Sequence, residues 1–232
     1  MKKILILIFA VQFSAFGQIE NTLDRITKSG LSNTVISNGL KEALDKGITK
    51  QVSTLATEGG FFTNDLVKIG LPEQLQKLDK TLRRFGLGDM VDQGIKSLNS
   101  AAEDAVLVAI PIFTSAITNI TFSDAKNILA GSDDAATIYL QKATSKELYK
   151  KFNPIIKQSF QKVGADKIWE TIITKYNALP MTKDINPNLT DYVTREALSG
   201  VYKMVAVEEK EIRGKVSERS TDLLKKVFSV QD

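Results

Sequence analysis

Apolar side chains recur every three or four positions along most of this chain, and no stretch sustains the two-residue alternation of a half-buried strand. That period belongs to amphipathic helices. From about Asn33 to Thr57, the residues Ile36, Leu40, Ala43, Leu44, Ile48, Val52 and Leu55 keep the helical spacing, with Ser32 placed to cap the first turn. Gly39, Ala43 and Gly47 fall four apart on one side, where small residues let a second helix approach closely. Glu58-Gly59-Gly60-Phe61-Phe62 breaks that helix, and the paired Phe read as a loop plugging the core. Pro72 suits the first turn of the next helix, which carries Leu75, Leu78, Leu82 and Phe85 and is stopped by Gly86 and Gly88. Asp89 then caps a longer helix bearing Val91, Ile95, Leu98, Ala102 and Ala105.

From Ala105 to Ser123 there is no charged residue. Pro111, Thr114, Ser115, Thr118, Asn119 and Thr121 make the stretch too polar for a membrane span. It reads as a buried hub helix kinked near Pro111. A short helix starts at Ser123-Asp124 and ends at Gly131, and Ser132-Asp133-Asp134 starts another. Thr144 with Glu147 has the spacing of a capping box for a helix through Leu148, Phe152, Ile156 and Phe160, kinked at Pro154 and ended by Gly164. Ile168, Trp169, Ile172, Ile173 and Tyr176 stripe the following helix, which Pro180 closes. A long helix runs from about Thr190 to Arg213, and Thr221 caps a last one through Val227.

The pattern therefore predicts an all-α fold. It has one multi-helix domain of orthogonal or bundle-like form over residues 32–232, about nine helices and no sheet. Residues 18–31 read as a loosely ordered lead-in, and 179–189 as the best hinge candidate. The first 17 residues form a separate pattern: Lys2 and Lys3, an apolar run from Ile4 to Phe13, then small Ala15 and Gly17. This is the layout of a secretory signal peptide cut between Gly17 and Gln18. Removing 17 of 232 residues leaves a mature chain of 215. The expectation is a periplasmic or secreted protein without a transmembrane span in its mature form.

Composition sharpens this by exclusion. The chain has neither Cys nor His. It can form no disulfide, thiol nucleophile, thiolate or imidazole metal site, or Ser-His-Asp triad. It also cannot be a lipoprotein attached through Cys. The sequence implies no cofactor and no metal. The formal charge of +4 falls to +2 once Lys2 and Lys3 are set aside, and the remaining charges are interleaved. A nucleic-acid partner would call for a clustered basic face, which is absent from the sequence.

Ser-x-x-Lys occurs at Ser123–Lys126 and Ser159–Lys162, without the Ser-Asp-Asn or Lys-Thr-Gly motifs that accompany it in peptidoglycan enzymes. Asp133 and Asp134, between Gly131 and a helix, read either as first-turn acids or as a site for a cation or polar ligand. Lys outnumbers Arg 25 to 6, so each Arg invites a role for its planar fork. Arg195, Arg213 and Arg219 can clamp carboxylates such as Glu208, Glu209 or Asp222, or recognise an anionic ligand. The amphipathic aromatics Tyr139, Tyr149, Trp169, Tyr176, Tyr192 and Tyr202 can place a polar tip at the rim of the core or line a groove. The candidate binding residues are thus Asp133, Asp134, Tyr139, Arg195, Glu208 and Arg213; no catalytic residue is assigned.

Several stretches, in order along the chain, resemble the bacterial family termed domain of unknown function 4197. They are Gly59-Gly60-Phe61-Phe62, Leu71-Pro72, Gly131 to Thr137, Tyr192-Val193-Thr194, Ala197-Leu198, Glu208-Glu209 with Ile212-Arg213, and Thr221 to Phe228. The resemblance implies a helical exported protein and carries no reaction with it. Two functions are expected from the residues. One is a non-enzymatic envelope protein, a binding or scaffold protein with a groove between helices for a lipid-like ligand or an envelope protein partner. The other is a carboxylate-based hydrolase or lyase acting on cell-wall or glycan substrates.

Overall fold

A computed structural model describes residues 22–229 except 23, 85, 87 and 179–187. The signal-peptide pattern and most of the 179–189 stretch lie outside the described residues. Within them the chain is helical and contains no strand. The helices are α1 (Asn33–Leu55), α2 (Glu73–Arg84), α3 (Gly88–Val106), α4 (Ala109–Thr118), α5 (Phe122–Ala130), α6 (Ala135–Lys162), α7 (Ala165–Asn177), α8 (Thr190–Gly214) and α9 (Asp222–Phe228). A 3₁₀ turn at Val216–Glu218 joins the last two. Residues 24–28, expected to be a loose lead-in, are helical, and Ile26 is buried.

Several ends are set by the chemistry read from the sequence. Ser32 Oγ accepts from the Val35 amide, and Thr221 Oγ1 from that of Leu224. Gly86 and Gly164 end α2 and α6 with φ of 76° and 67°, the left-handed region that glycine enters without a steric cost. Three expectations need correction. The Thr144–Glu147 pair caps nothing, because α6 runs through it unbroken. Thr144 is buried mid-helix, and its hydroxyl shares a 2.8 Å hydrogen bond with the Tyr202 hydroxyl on α8. The uncharged stretch is not a buried hub. The chain bends by 45° at the break between α3 and α4, one turn before Pro111. Proline has no N–H for the carbonyl four residues back, and its ring crowds that carbonyl, so the break falls at Leu107. In α4 Phe113 and Ile117 are buried while Pro111, Thr114, Ser115 and Thr118 are exposed. Finally, α5 is capped by Thr121 rather than at Ser123, through a reciprocal box with Asp124. No single helix among the described residues is long and apolar enough to cross a membrane.

The chain forms two compact units: one of Met1–Ile48, Phe113–Ala143 and Val205–Asp232, the other of Thr49–Ile112 and Thr144–Met204. In the first, the small-residue face of α1 does what its spacing suggests. A Cβ at Gly39 would lie 2.4 Å from Val227 Cγ2, and one at Gly47 would lie 2.9 Å from Glu208 Cγ. Helices α9 and α8 therefore rest directly on the α1 backbone. Lys41 donates to the Thr118 carbonyl at 2.7 Å, and Thr114 donates to Asp45 at 3.0 Å, tying α4 to the same helix.

In the second unit the Gly-Gly-Phe-Phe loop does plug the core, with Phe61 fully buried. Two polar residues one turn apart on α3 fasten it. Glu103 accepts from the amides of Phe61 and Phe62 at 3.1 and 3.4 Å. Asn99, also fully buried, accepts from the Ile69 amide and donates to the Ile69 carbonyl, both at 2.8 Å. A loop that enters a core must satisfy its backbone groups, and these two side chains do so. Tyr192 on α8 donates to the Gly70 carbonyl at 2.9 Å.

Candidate ligand-binding cleft

The six residues singled out from the sequence do not converge on one site. Asp133 and Asp134 are exposed in the turn between α5 and α6, where Asp134 accepts from Ser132 Oγ at 2.6 Å. Arg213 is buried at the same corner but turned to other partners. It donates to the carbonyls of Ile128 and Leu129 at the end of α5, at 2.8 and 3.3 Å. It also donates to Glu209, one turn earlier on α8, at 2.8 and 3.1 Å. The Glu209 carboxylate in turn accepts from the amides of Ala136 and Thr137, both at 2.9 Å, and from the Thr137 hydroxyl at 2.8 Å. One buried ion pair thereby caps the C-terminus of α5 with its cation and the N-terminus of α6 with its anion, matching both helix dipoles.

Glu208 is also buried, its methylene laid over Gly47. Tyr139 is partly buried, and its phenol is pushed up by burial and by the Asp124 charge. Arg195 is exposed in the other unit. There it pairs with Asp191 at 3.0 Å and lies over the ring of Tyr149, whose hydroxyl donates to Asp191. Arg219 is almost fully buried and donates to the carbonyls of Ile212 and Arg213 at the end of α8. Of the two Ser-x-x-Lys serines, Ser159 donates to Asp104 at 2.6 Å.

A concave feature lies elsewhere, in the second unit: a cleft of about 230 Å³. Its first wall is the last turn and a half of α6, presenting Lys157, Phe160 and Gln161. The second wall is the first half of α7, presenting Asp166, Trp169 and Glu170. Asn188, Leu189 and Thr190, at the start of α8, close the third side. The α6–α7 turn that sets the two walls against each other is the left-handed Gly164, which makes no side-chain cap for α7. The α8 end is held by Asn188 Oδ1, which accepts from the Thr190 amide at 3.0 Å.

Trp169 is 2% exposed. A Cβ on Gly94 would lie 2.5 Å from its Cζ2, so the indole edge rests on the bare backbone of α3. Yet the indole N–H meets no acceptor, and one turn earlier Asp166 Oδ1 is buried and meets no donor. Among the described residues these are the buried side-chain polar atoms without a partner, and both belong to residues lining the cleft. Leaving such a group unsatisfied costs about 1–3 kcal/mol, and both atoms lie sealed behind the cleft surface rather than on it. The sequence pattern did not single out Lys157, Gln161, Asp166 or Glu170. The available signal was the chain's single Trp with an acid three residues before it on the same face.

The family model described as Protein of unknown function (DUF4197) matches residues 30–229, and the chain belongs to that family. No curated protein and no solved structure matches the chain.

Proposed function

We propose that this member of the DUF4197 family is an exported, non-enzymatic binding protein that holds a small polar molecule in the cleft between α6, α7 and the start of α8. The observation that carries the reading is that concavity, where apolar side chains meet the charged Lys157, Asp166 and Glu170. Binding sites combine apolar walls with a few placed polar groups, and Phe160, Leu189 and Trp169 supply the apolar part here. Glu209 caps α6 against Arg213, and Asp124 caps α5, so these two carboxylates are engaged in holding helix ends. Export rests on the charged-apolar-small pattern of residues 1–17.

Native mass spectrometry of the full-length gene product purified from the cell envelope tests both parts. A polypeptide mass matching residues 18–232 supports export and cleavage, whereas an intact N-terminus argues against it. An added small mass that mild organic extraction removes supports the binding reading. A bare polypeptide that also shows no Trp169 fluorescence response to a broad metabolite panel overturns it.

A further inference from the structure

We propose that the outer side of α6 docks the protein on an anionic phospholipid bilayer. Lys146, Lys150, Pro154, Gln158 and Lys162 recur every four residues, and all five are exposed. They form one ridge, roughly 24 Å long at about 1.5 Å per residue. It is offset by half the repeat from Leu148, Phe152, Ile156 and Phe160, which are buried, so it points away from the core. Lys151 stands beside it, also exposed. From Thr144 to Lys162 five lysines meet a single acid, Glu147, whereas the rest of the same unit holds 12 basic and 13 acidic residues. The positive excess of that unit is therefore concentrated on this one helix segment.

Lysines on other helices pair with acids one turn away, as Lys46 does with Glu42 and Lys215 with Glu211. Among the described residues Lys146, Lys150, Lys151 and Lys162 enter no ion pair. Lys157 is set apart from them, because it borders the cleft together with Asp166 and Glu170. A row of separate cations suits a plane of many anionic groups better than one small anion, which meets one or two of them. Each lysine held near an anionic leaflet strengthens binding about fivefold. The ridge also ends beside exposed aliphatic side chains. Val163, 60% exposed, follows Lys162 directly, and Ile168, 45% exposed, follows Lys167 beyond the Gly164 turn. Aliphatic groups next to lysines fit the boundary between headgroups and acyl chains. A single-stranded nucleic acid would instead gain from exposed aromatic rings for base stacking. None of the exposed residues from Thr144 to Lys162 is aromatic, and the half-buried Tyr149 donates to Asp191.

The gene product, purified as the cell holds it, is sedimented with vesicles of phosphatidylcholine alone and of equal parts phosphatidylcholine and phosphatidylglycerol. The expected result is saturable binding to the mixed vesicles that rising salt weakens, and far weaker binding to phosphatidylcholine. Lys146→Gln, Lys150→Gln, Lys151→Gln and Lys162→Gln combined should weaken binding to the mixed vesicles by about thirtyfold or more, with far-UV circular dichroism unchanged. Lys→Arg at the same four positions should keep it. Val163→Ser with Ile168→Ser should weaken the binding that survives at high salt. Any contribution of residues 1–17 is common to every variant and drops out of these comparisons. Equal binding to the two kinds of vesicle, or a glutamine variant that binds as tightly as wild type, overturns the proposal. Failure to bind either vesicle overturns it too, and capture of single-stranded DNA or polyglutamate in that case assigns the ridge to another polyanion. The cleft reading stands apart from every outcome, because none of the four lysines borders it.

Discussion

Truncating Glu209 removes the anion that joins α5 to α6. In Glu209→Ala the amides of Ala136 and Thr137 lose their acceptor, and Arg213, 9% exposed, keeps its charge without the counter-ion. Removing one partner of a buried pair costs about 3–5 kcal/mol, mostly because the other charge stays behind. With a urea m-value of ~2 kcal/mol/M, the midpoint should fall by roughly 1.5–2.5 M at constant slope. Adding Arg213→Met removes the stranded cation. The double variant should therefore recover part of the loss, retaining a deficit of about 1–3 kcal/mol for the Ala136 and Thr137 amides and the Ile128 and Leu129 carbonyls that the pair had capped. The assay is equilibrium urea unfolding followed by far-UV circular dichroism and by Trp169 emission. The two probes read different things, since Trp169 lies in the other unit. A single-variant cost below ~1 kcal/mol, or strictly additive losses in the double variant, would refute the account of this pair as a mutually dependent strap.

Asn99→Ala should destabilise by about 1–3 kcal/mol, since it strands the Ile69 amide and carbonyl in the core; chemical denaturation measures this, and a neutral result would mean the loop finds other partners. Hydrogen bonds from the Thr121 hydroxyl and amide hold the Asp124 carboxyl below the usual range, so its stabilisation is present above the unfolded value of about 3.9 and is lost as pH falls through the lower folded value. Asp124→Ala should accordingly cost about 1 kcal/mol at neutral pH, and the gap from wild type should close in unfolding curves taken progressively below about pH 4. Burial, aided by the Glu196 charge, pushes the Tyr192 phenol up to about 12. Its contribution is full below the unfolded value of about 10 and is lost as pH rises through 12. Tyr192→Phe should flatten that alkaline loss in thermal melts taken between pH 9 and 12.

What the sequence disclosed was local. The period of Ile36 to Leu55, the caps at Ser32 and Thr221 and the stops at Gly86 and Gly164 depend on neighbours within a turn, and they appear in the structure where the pattern put them. Thr144 misleads for the converse reason. Thr-x-x-Glu is a capping signal only at a helix start, and a partner 58 residues away, Tyr202, makes this threonine an interior residue. The Glu209–Arg213 spacing was legible as an ion pair, but nothing in it announces that the pair closes two other helices 72–85 residues earlier. The cleft is harder still to read. Lys157 and Glu170 have the ordinary look of solvated helix faces, and only the packing of α6, α7 and the start of α8 shows that they border one concavity.

The corner between α5 and α6 also has a temporal side. Its carbonyls at 128–129 and amides at 136–137 are all made well before their partners at 209 and 213. A chain emerging from its N-terminus therefore reaches residue 204 with two of the three stretches of that unit in hand and its latch still unmade. Until α8 is complete, water must serve the polar groups at both helix ends, and the unit stays an open intermediate. The last helices act as a clasp fastened late. Any chain interrupted before Glu209 lacks the partners of that corner and leaves it unlatched.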